Sequence, residues 1–334
     1  MDLLPNPTEQ EIADAAAAFL EKEMPLSRLR RGGALPPAQQ WTKLAGLGWF
    51  GLGLSEEDGG LGLSLAEEAL LFREVGRRLG PIAIAATALA ARVASRAGDA
   101  RLRDDLVAGR LRAGWAEPTP GAALHPRVHG RFLVLDGDGA GVLVAATSDG
   151  AALFSPTSLR SLPCTDETTS LAEADFDDGR RLATIDGGDR TGARAAVLAA
   201  AMLCGVGEEA RDQAARYAKE RFQFGRAIGV FQAVKHRCAD MAVRSEAAWS
   251  QTVYAALALR DGHADAGLHV SSAKVLATDA AIENASSNVQ VHGGYGFTTE
   301  FDAHLLVKRA HVLDRMAGLA RIHVATVLAA PAPE

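Results

Sequence analysis

The sequence predicts a mainly α-helical protein with a small β domain, and three observations lead to this prediction. Apolar residues recur at helical spacing before about residue 112 and again after residue 188. Between these regions, from Trp115 to Asp186, the helical period is lost and β-rich runs alternate with glycine and aspartate. Alanine, the strongest helix former, is abundant, whereas aromatic residues make up only 5% of the chain. We expect an N-terminal helical domain over residues 1–112, a small middle β domain over 113–188 and a C-terminal four-helix bundle over 189–330.

The N-terminal domain is expected to begin with a helix at a capping box formed by Thr8 and Glu11, whose side chains would satisfy free backbone amides. Ser64 and Glu67 repeat this pattern. The helix that they start is expected to stop at the Gly-Pro pair that begins at Gly80, because this pair breaks helices. Further helices are expected over residues 36–46, 83–93 and 100–108.

The middle domain contains a predicted hairpin. Residues 131–147, RFLVLDGDGAGVLVAAT, are two β-rich runs joined by glycine and aspartate. The string GDGAG at residues 137–141 fits part of a dinucleotide-binding pattern, which requires a helix after its glycines. Because a strand-like run follows instead, we interpret GDGAG as a hairpin turn.

The C-terminal domain contains four long segments of helical periodicity joined by short loops. The apolar stripe of each helix must be covered by a neighbour, so this pattern predicts a bundle. The four helices are expected over residues 193–219, 230–260, 266–292 and 301–328.

Composition and charge argue against several classes of protein. The 334 residues carry a formal net charge of -6, whereas a dedicated nucleic-acid binder presents a basic face to phosphates. The longest apolar runs are too short to span a bilayer, and the acidic N-terminus lacks a secretory signal. The three cysteines are far apart and indicate neither a disulfide framework nor a metal site. A cytoplasmic location is the simplest expectation.

Two segments of the predicted bundle carry candidate binding residues. In the first, KERFQFGRAIGVFQAVKHRCADM at residues 219–241, glycines interrupt a long helix close to Arg221. An arginine at such a break can donate two hydrogen bonds to a phosphate, and Phe224 offers a flat apolar face. A plain helix–turn–helix is the alternative interpretation of this segment.

The second segment is NVQVHGGYGFTTE at residues 288–300. Gly293 and Gly294 allow the backbone to approach a ligand closely. Gln290 and His292 flank these glycines with side chains that form hydrogen bonds. The alternative is a helix C-cap followed by a turn.

Together these segments resemble the acyl-CoA dehydrogenase family. The family's bundle carries an R-x-x-F-G segment, a following F-Q and a downstream Q-x-x-G-G-x-G-[FY]-x-x-E segment. This chain has RFQFG, FQAVKH and QVHGGYGFTTE in the same order. The N-terminal GLGWFGLGLSEEDGGLGLS, the AEPTPGAAL string at 116–124 and LAEADFDDGRR also resemble family segments, so the likeness covers almost the whole chain.

The resemblance implies FAD-dependent α,β-dehydrogenation of an acyl-CoA thioester. In the family a carboxylate removes the α-proton, the flavin accepts the β-hydride, and electron-transfer flavoprotein is the implied electron acceptor. FAD lies between the middle domain and the bundle, and the bundle of one subunit contacts the FAD held mainly by its neighbour. Carried over by motif, the implied FAD contacts of this chain are Arg221, Phe224, Gln232, Gln290, Gly293 and Gly294.

The positions of the family's catalytic base are altered. The E-G-T string that carries the base aligns with Ala317, Gly318 and Leu319. The alternative base position on the first bundle helix falls at Ala195 or Ala196. None of these side chains can take a proton, so the resemblance assigns no catalytic base to this chain.

Other parts of the family's pattern are missing as well. The serine of T-E-P-x-x-G-S-D is Ala122 or Ala123, the W-[IL]-[TS]-N string is absent, and the middle domain is shortened. Asp314 is a weak substitute for the base, because it precedes Ala317 by about one helical turn, but a solvated or ion-paired role is the expectation. We assign the base to none of the three carboxylates that could substitute for it, which are Asp314, Glu300 and Glu117.

Residues that act within one chain are therefore missing, whereas residues that act across an interface remain. This pattern favours a subunit that completes the FAD site of a homologous acyl-CoA dehydrogenase subunit within a heteromer. One alternative is a self-sufficient homo-oligomeric flavoenzyme with a non-standard base, acting on an acyl-CoA or a carrier-bound acyl group. A second alternative is a non-catalytic structural homologue.

Overall fold

The computed structural model describes residues 3–31 and 38–330. The N-terminal helices begin with α1, Pro7–Glu23, which starts at a capping box. The box is formed by Asn6 and Glu9, so the prediction of Thr8 and Glu11 was wrong: proline in the first turn is preorganised for a helix and moves the start forward. The following helices are α2, Ala38–Gly46; α3, Leu65–Arg77; α4, Ile82–Arg96; and α5, Ala100–Val107.

The predicted capping box at the start of α3 is confirmed, since the amide of Ser64 donates to the Glu67 carboxylate over 2.9 Å. This helix packs against the first helix of the bundle with their backbones in contact. A Cβ atom on Gly76 would lie 2.0 Å from the carbonyl oxygen of Met202, and one on Gly205 would lie 1.9 Å from that of Arg73. The two glycines therefore set the distance between the N-terminal helices and the bundle.

Among the described residues, seven strands form one sheet in the order β5-β6-β2-β1-β3-β4-β7. The pairs are antiparallel except β1 with β3, which is parallel. The strands are β1, Ala113–Pro118; β2, His129–Leu135; β3, Val142–Ala146; β4, Gly150–Phe154; β5, Arg160–Leu162; β6, Leu171–Asp177; and β7, Arg181–Asp186.

The predicted hairpin over residues 131–147 was wrong, because β1 lies between β2 and β3. The chain leaves β2 at Asp136, which has a left-handed backbone with φ of 53°. The buried carboxylate of Asp136 accepts a hydrogen bond from the Ala83 amide at the start of α4, over 3.1 Å. This contact holds the end of β2 against the start of α4, and β1 rather than β3 pairs with β2.

The C-terminal region is a helical bundle, as predicted. Its helices are α6, Thr191–Glu220; α7, Gln232–Arg260; α8, Ala266–His292; α9, Ala303–Leu313; and α10, Ala320–Ala329. Two short strands, β8 at Phe222–Gln223 and β9 at Arg226–Ala227, form a small hairpin between α6 and α7. In the part of the chain that the structure describes, no helix combines the length and apolar character that a membrane span requires.

The prediction of one fourth helix over 301–328 was wrong, because the helix breaks between α9 and α10. At the break, Ala317 and Gly318 adopt left-handed backbone conformations with φ of 58° and 90°. Short 3₁₀ turns complete the described fold at Leu26–Arg31, Glu56–Asp58, Asp178–Arg180, Gly187–Asp189, Ile228–Val230 and Gly293–Phe297.

Candidate functional site

The two candidate segments meet at one end of the bundle. Arg221 follows the last residue of α6, Gln232 begins α7, and Gln290 lies in the last turn of α8. The guanidinium of Arg221 lies over the ring of Tyr295, with 5.6 Å between Cζ and the ring centroid. The residues predicted to contact FAD, which are all exposed here, are Arg221, Phe224, Gln232, Gln290, Gly293 and Gly294.

A cluster of rings supports the glycine segment from below. Tyr217 stacks on His292 with 4.1 Å between the ring centroids, and Phe301 packs edge-on against both. The Nδ1 atom of His292 lies 2.9 Å from the Asn288 carbonyl oxygen, so this nitrogen carries the proton. Burial lowers the pKa of His292, which keeps the ring neutral. The cluster therefore holds the glycine segment in place without adding charge.

The hairpin between α6 and α7 presents an aromatic side chain to solvent. Phe224 and Gly225 form its tip, with φ of 51° and 76°. The Phe224 side chain is 89% exposed, and its only ring contact within the described chain is with Phe231, at 6.1 Å. Phe222 of the same hairpin is exposed as well, and adjoining exposed apolar side chains are typical of a surface that contacts another molecule.

The donors at this end suit a diphosphate. A Cβ atom on Gly225, Gly293 or Gly294 would meet no atom within 4 Å, so the backbone surface there is open. No side-chain hydrogen bond caps the start of α7, and the amides of Val234 and Lys235 donate to the Phe231 carbonyl oxygen, which leaves the amides of Gln232 and Ala233 as donors at this end of the bundle. With the Arg221 guanidinium, these groups fit one wall of a site for the diphosphate of FAD.

A second region surrounds the position predicted for the family's base. Ala317 and Gly318 lie in the junction between α9 and α10, and their amides donate to the Glu117 carboxylate over 2.9 and 3.0 Å. Trp115, which lies on the same face of β1 as Glu117, donates from Nε1 to that carboxylate over 2.8 Å. The carboxylate nearest to the base position is therefore bound to the backbone of that position.

The same junction contains a buried cation. Lys274, on α8, has a fully buried side chain, and its ammonium donates to the carbonyl oxygens of Asp314 and Gly318 over 2.8 and 2.7 Å. The Asp314 carboxylate lies 3.7 Å from this ammonium and caps α10 by accepting from the Ala320 amide over 2.9 Å. Asp314 thus has an ion-paired, helix-capping position.

Burial dominates the electrostatics of the junction. It raises the pKa of Glu117 to about 7, although hydrogen bonds from Trp115 and the junction amides and the charge of Lys274 all act in the opposite direction. Burial also lowers the pKa of Lys274 to about 8, against the attraction of Asp314 and Glu117. The charges of Glu117 and Lys274 attract each other, but burial disfavours the charged form of both groups.

The sequence prediction missed Lys274, although a signal was present. Lys274 falls on the apolar stripe of α8, between the buried residues Val270 and Ala277 at helical spacing. A lysine at such a position must bury its ammonium, and a buried ammonium requires acceptors. The acceptors are backbone carbonyls about forty residues away, which no local pattern indicates.

The remaining predicted positions are those of the alternative base, the altered serine and Glu300. Ala195 and Ala196 are buried in the core of α6, and Ala123 pairs with His129 in an isolated bridge. Glu300 is exposed. Within residues 3–31 and 38–330, no group of three or more His, Cys, Asp or Glu side chains is arranged to hold a metal ion.

Sequence comparisons place these features among known proteins. The profile of the acyl-CoA dehydrogenase N-terminal domain matches residues 6–112, and that of the C-terminal domain matches residues 192–330. Acyl-CoA dehydrogenase FadE34 of Mycobacterium tuberculosis is 37% identical over 289 residues, which are 82% of this chain but only 39% of FadE34. Acyl-CoA dehydrogenase IpdE2 of the same organism is 34% identical over 267 residues, which are 79% of this chain and 77% of IpdE2.

Comparison with solved structures confirms the predicted fold class. The ChsE4–ChsE5 complex from Mycobacterium tuberculosis contains a chain that superimposes with a TM-score of 0.84 at 24% identity. The superposition covers 99% of this chain and 100% of the ChsE4–ChsE5 chain. The arrangement of N-terminal helices, small β domain and C-terminal bundle is therefore shared over the full length.

Proposed function

The chain belongs to the acyl-CoA dehydrogenase family of FAD-dependent oxidoreductases, and on this premise we propose that it is one subunit of a heteromer. In this proposal it completes the FAD site of a homologous partner subunit, and it does not supply the base that removes the α-proton of the acyl-CoA. The observation that carries the proposal is a contrast between two regions. The donors at the bundle end are present and exposed, whereas the base position is alanine, with its backbone bound to Glu117.

The bundle end has the character of one half of a shared site. Arg221, Gln232 and Gln290 are exposed on one wall, and no second wall built from the described residues covers them. Exposed aromatic side chains surround the donors: Phe222 is 63% exposed, and Phe297 is 77% exposed. Apolar groups of this size at a set of polar donors support a surface that another chain covers.

The junction, in contrast, lacks a carboxylate that is free to act as the base. Ala317 has no ionisable group, and Asp314 caps α10. The two oxygens of Glu117 accept three hydrogen bonds from protein donors. The proposal therefore assigns the base to the partner subunit, where a positioned carboxylate would remove the α-proton.

The part of this chain in the reaction is binding and orientation. FAD, when bound, supplies the acceptor for the β-hydride of the acyl-CoA. Arg221 would hold a phosphate of FAD with a charge-assisted hydrogen bond, and Gln232 and Gln290 would donate to polar atoms beside it. Electrons would then leave to electron-transfer flavoprotein, and the complex would work in the cytoplasm. The ChsE4–ChsE5 complex, which contains a chain of the same fold, supports a heteromeric assembly.

Co-purification with a full-length homologous acyl-CoA dehydrogenase subunit tests the proposal. We expect a yellow complex with about one FAD per pair of chains, because only one type of site is complete. Arg221→Ala in this chain should lower the flavin content of the complex several-fold, since a charged hydrogen bond to phosphate contributes roughly 1.5–3 kcal/mol. The matched control is Arg321→Ala on α10, an exposed arginine outside the bundle end. One FAD in every subunit, or unchanged flavin in Arg221→Ala, argues against the proposal.

One observation favours a second candidate, a self-sufficient homo-oligomeric flavoenzyme with a non-standard base. The pKa of Glu117, raised to about 7 by burial, lies where a general base works best at neutral pH. The purified protein alone separates the two candidates. If it is yellow and reduces an electron acceptor with an acyl-CoA or a carrier-bound acyl group, the heteromer proposal fails. A non-catalytic structural homologue would instead leave the flavin content of a partner unchanged in Arg221→Ala.

A further inference from the structure

Three donors converge on one carboxylate at the junction between α9 and α10. The amides of Ala317 and Gly318 and the indole nitrogen of Trp115 all lie within 3.0 Å of the Glu117 oxygens. Trp115 is fully buried, so its N–H has no access to water and depends on this acceptor. The donors come from two elements that are 200 residues apart in sequence.

The conformation of the junction matches its ligand. Ala317 and Gly318 are consecutive left-handed residues, with φ of 58° and 90°. Their two successive amides donate to the two oxygens of one carboxylate, and successive backbone amides that converge in a turn can bind an anion. The left-handed conformation is unfavourable for alanine, and the hydrogen bonds from the Ala317 and Gly318 amides to Glu117 help to stabilise it.

The carbonyl side of the junction carries the opposite charge. The buried ammonium of Lys274 donates to the carbonyl oxygens of Asp314 and Gly318. The segment is therefore held by a carboxylate at its amides and by an ammonium at its carbonyls. The charge of Lys274 also acts on Glu117 through space and adds to the attraction for an anion.

The junction sets the position of α10. No residue of α10 is fully buried, so its attachment depends on a few specific contacts. The ring of His323 on α10 approaches the Ala317 carbonyl oxygen over 2.9 Å through Nε2, and it approaches Ser271 of α8 over 3.2 Å through Nδ1. A change in the backbone at Ala317 would therefore move the start of α10 relative to α8.

We propose that Trp115, the Ala317 and Gly318 amides and Lys274 form a carboxylate-binding site that Glu117 occupies as an internal ligand. Glu117 is thus the positioning residue of the α9–α10 junction. The site is selective for a planar anion with two acceptor oxygens, because its donors approach both oxygens of one carboxylate. A free acetate ion has the same four heavy atoms that the substitution Glu117→Ala removes, and it would fill the vacated site.

Chemical rescue of Glu117→Ala tests the proposal on the isolated chain, without flavin or a partner, so its result is separate from that of the proposed function. We expect the melting temperature to fall by roughly 5 °C, because buried donors lose their acceptor. Sodium acetate or formate at about 200 mM should restore at least half of this loss by binding the folded state. Sodium chloride at equal ionic strength and neutral acetamide should not.

The matched control is Glu167→Ala, which removes an exposed glutamate bonded to Lys308. It should change the melting temperature little and show no response to acetate beyond that of the wild type. Hydrogen exchange supplies a local readout: the amides of Ala317 and Gly318 should exchange at least tenfold faster in Glu117→Ala and slow again in acetate. Equal exchange in the variant and the wild type, or rescue by chloride as strong as by acetate, would overturn the proposal.

If Glu117→Ala does not fold, Glu117→Gln carries the test. Its amide keeps the volume but offers one acceptor oxygen in place of two. We expect faster exchange at one of the two junction amides and no change at the amide of Glu9, which donates to the Asn6 side-chain oxygen in the distant capping box of α1. Unchanged exchange at both junction amides would show that Glu117 does not position the junction.

Discussion

Replacing Arg309 with methionine should strongly destabilise the fold, because the change leaves a buried carboxylate without its partner. The Arg309 side chain is 1% exposed and that of Asp166 is 0% exposed. Their ion pair, with 2.6 Å between Nε and Oδ2, joins α9 to the loop before β6. The guanidinium also donates to the Gly80 carbonyl over 2.7 Å and to the Thr168 hydroxyl over 2.6 Å. One side chain thus connects the bundle, the sheet and the turn before α4.

The size of the effect follows from burial. Burial alone would raise the pKa of Asp166, but the charge and hydrogen bond of Arg309 and the hydrogen bonds of Thr168 hold it below its ordinary value. Asp166 is therefore charged at neutral pH, and it stays desolvated when Arg309 is removed. Loss of one partner of a buried ion pair costs about 3–5 kcal/mol, whereas removing both charges costs much less.

Urea unfolding at pH 7 measures these values in Arg309→Met, Asp166→Asn and the double variant. We expect Arg309→Met to lower the free energy of unfolding by about 4 kcal/mol. The double variant should be roughly 2 kcal/mol more stable than the sum of the single effects predicts. Arg321→Met, an exposed change on α10, is the control and should cost under about 0.5 kcal/mol. If Arg309→Met costs less than about 1 kcal/mol, or if the single effects simply add, the argument from a buried unpaired charge is refuted.

Two further predictions concern the junction and the contact between α3 and α6. Because burial raises the pKa of Glu117 from 4.5 to about 7, the folded state binds more protons than the unfolded chain between these values, and this group's stabilisation is lost as the pH rises through that window. Glu117→Gln should remove this component, up to about 3 kcal/mol, in urea unfolding at pH 4.5 and 7.5, and an unchanged pH dependence would contradict the assignment. Gly205→Ala should lower the free energy of unfolding by roughly 2–4 kcal/mol, because its Cβ would lie 1.9 Å from the Arg73 carbonyl oxygen. Gly267→Ala on α8, where a Cβ meets no atom within 4 Å, should be neutral or stabilise by up to about 1 kcal/mol in the same assay, and equal effects at the two glycines would refute the close packing.

The sequence predicted best what is decided locally. The start of α3 follows from the side chains of Ser64 and Glu67, which satisfy amides within one turn. The interruption between α6 and α7 follows from the glycines after Arg221. The family resemblance assigned residues of both bundle segments to one FAD site. The structure places Arg221 over Tyr295, so the two segments are neighbours as the shared motif implies.

What the sequence did not predict depends on partners that are far apart along the chain. The predicted hairpin over 131–147 was wrong because β1 pairs with both β2 and β3. The residues of a strand do not by themselves determine which strand it pairs with. The break after Leu313 was missed because the groups that stabilise it, Glu117 and Lys274, lie on β1 and α8. Helical periodicity continues through this break, so only the tertiary contacts reveal it.

The bundle end and the junction are distant parts of one chain, and this distance explains how one can be altered while the other is kept. Gln290 and Lys274 lie on the same helix, sixteen residues apart, which at 1.5 Å per residue is about 24 Å along the axis of α8. A substitution at Ala317 is therefore expected to leave the contacts of Arg221 and of the other exposed donors unchanged. For the same reason the flavin content of a complex reports on Arg221, and the exchange of the junction amides reports on Glu117. In the proposed heteromer, a chain without a base would keep its half of a shared flavin site, because the two regions lie far apart along α8.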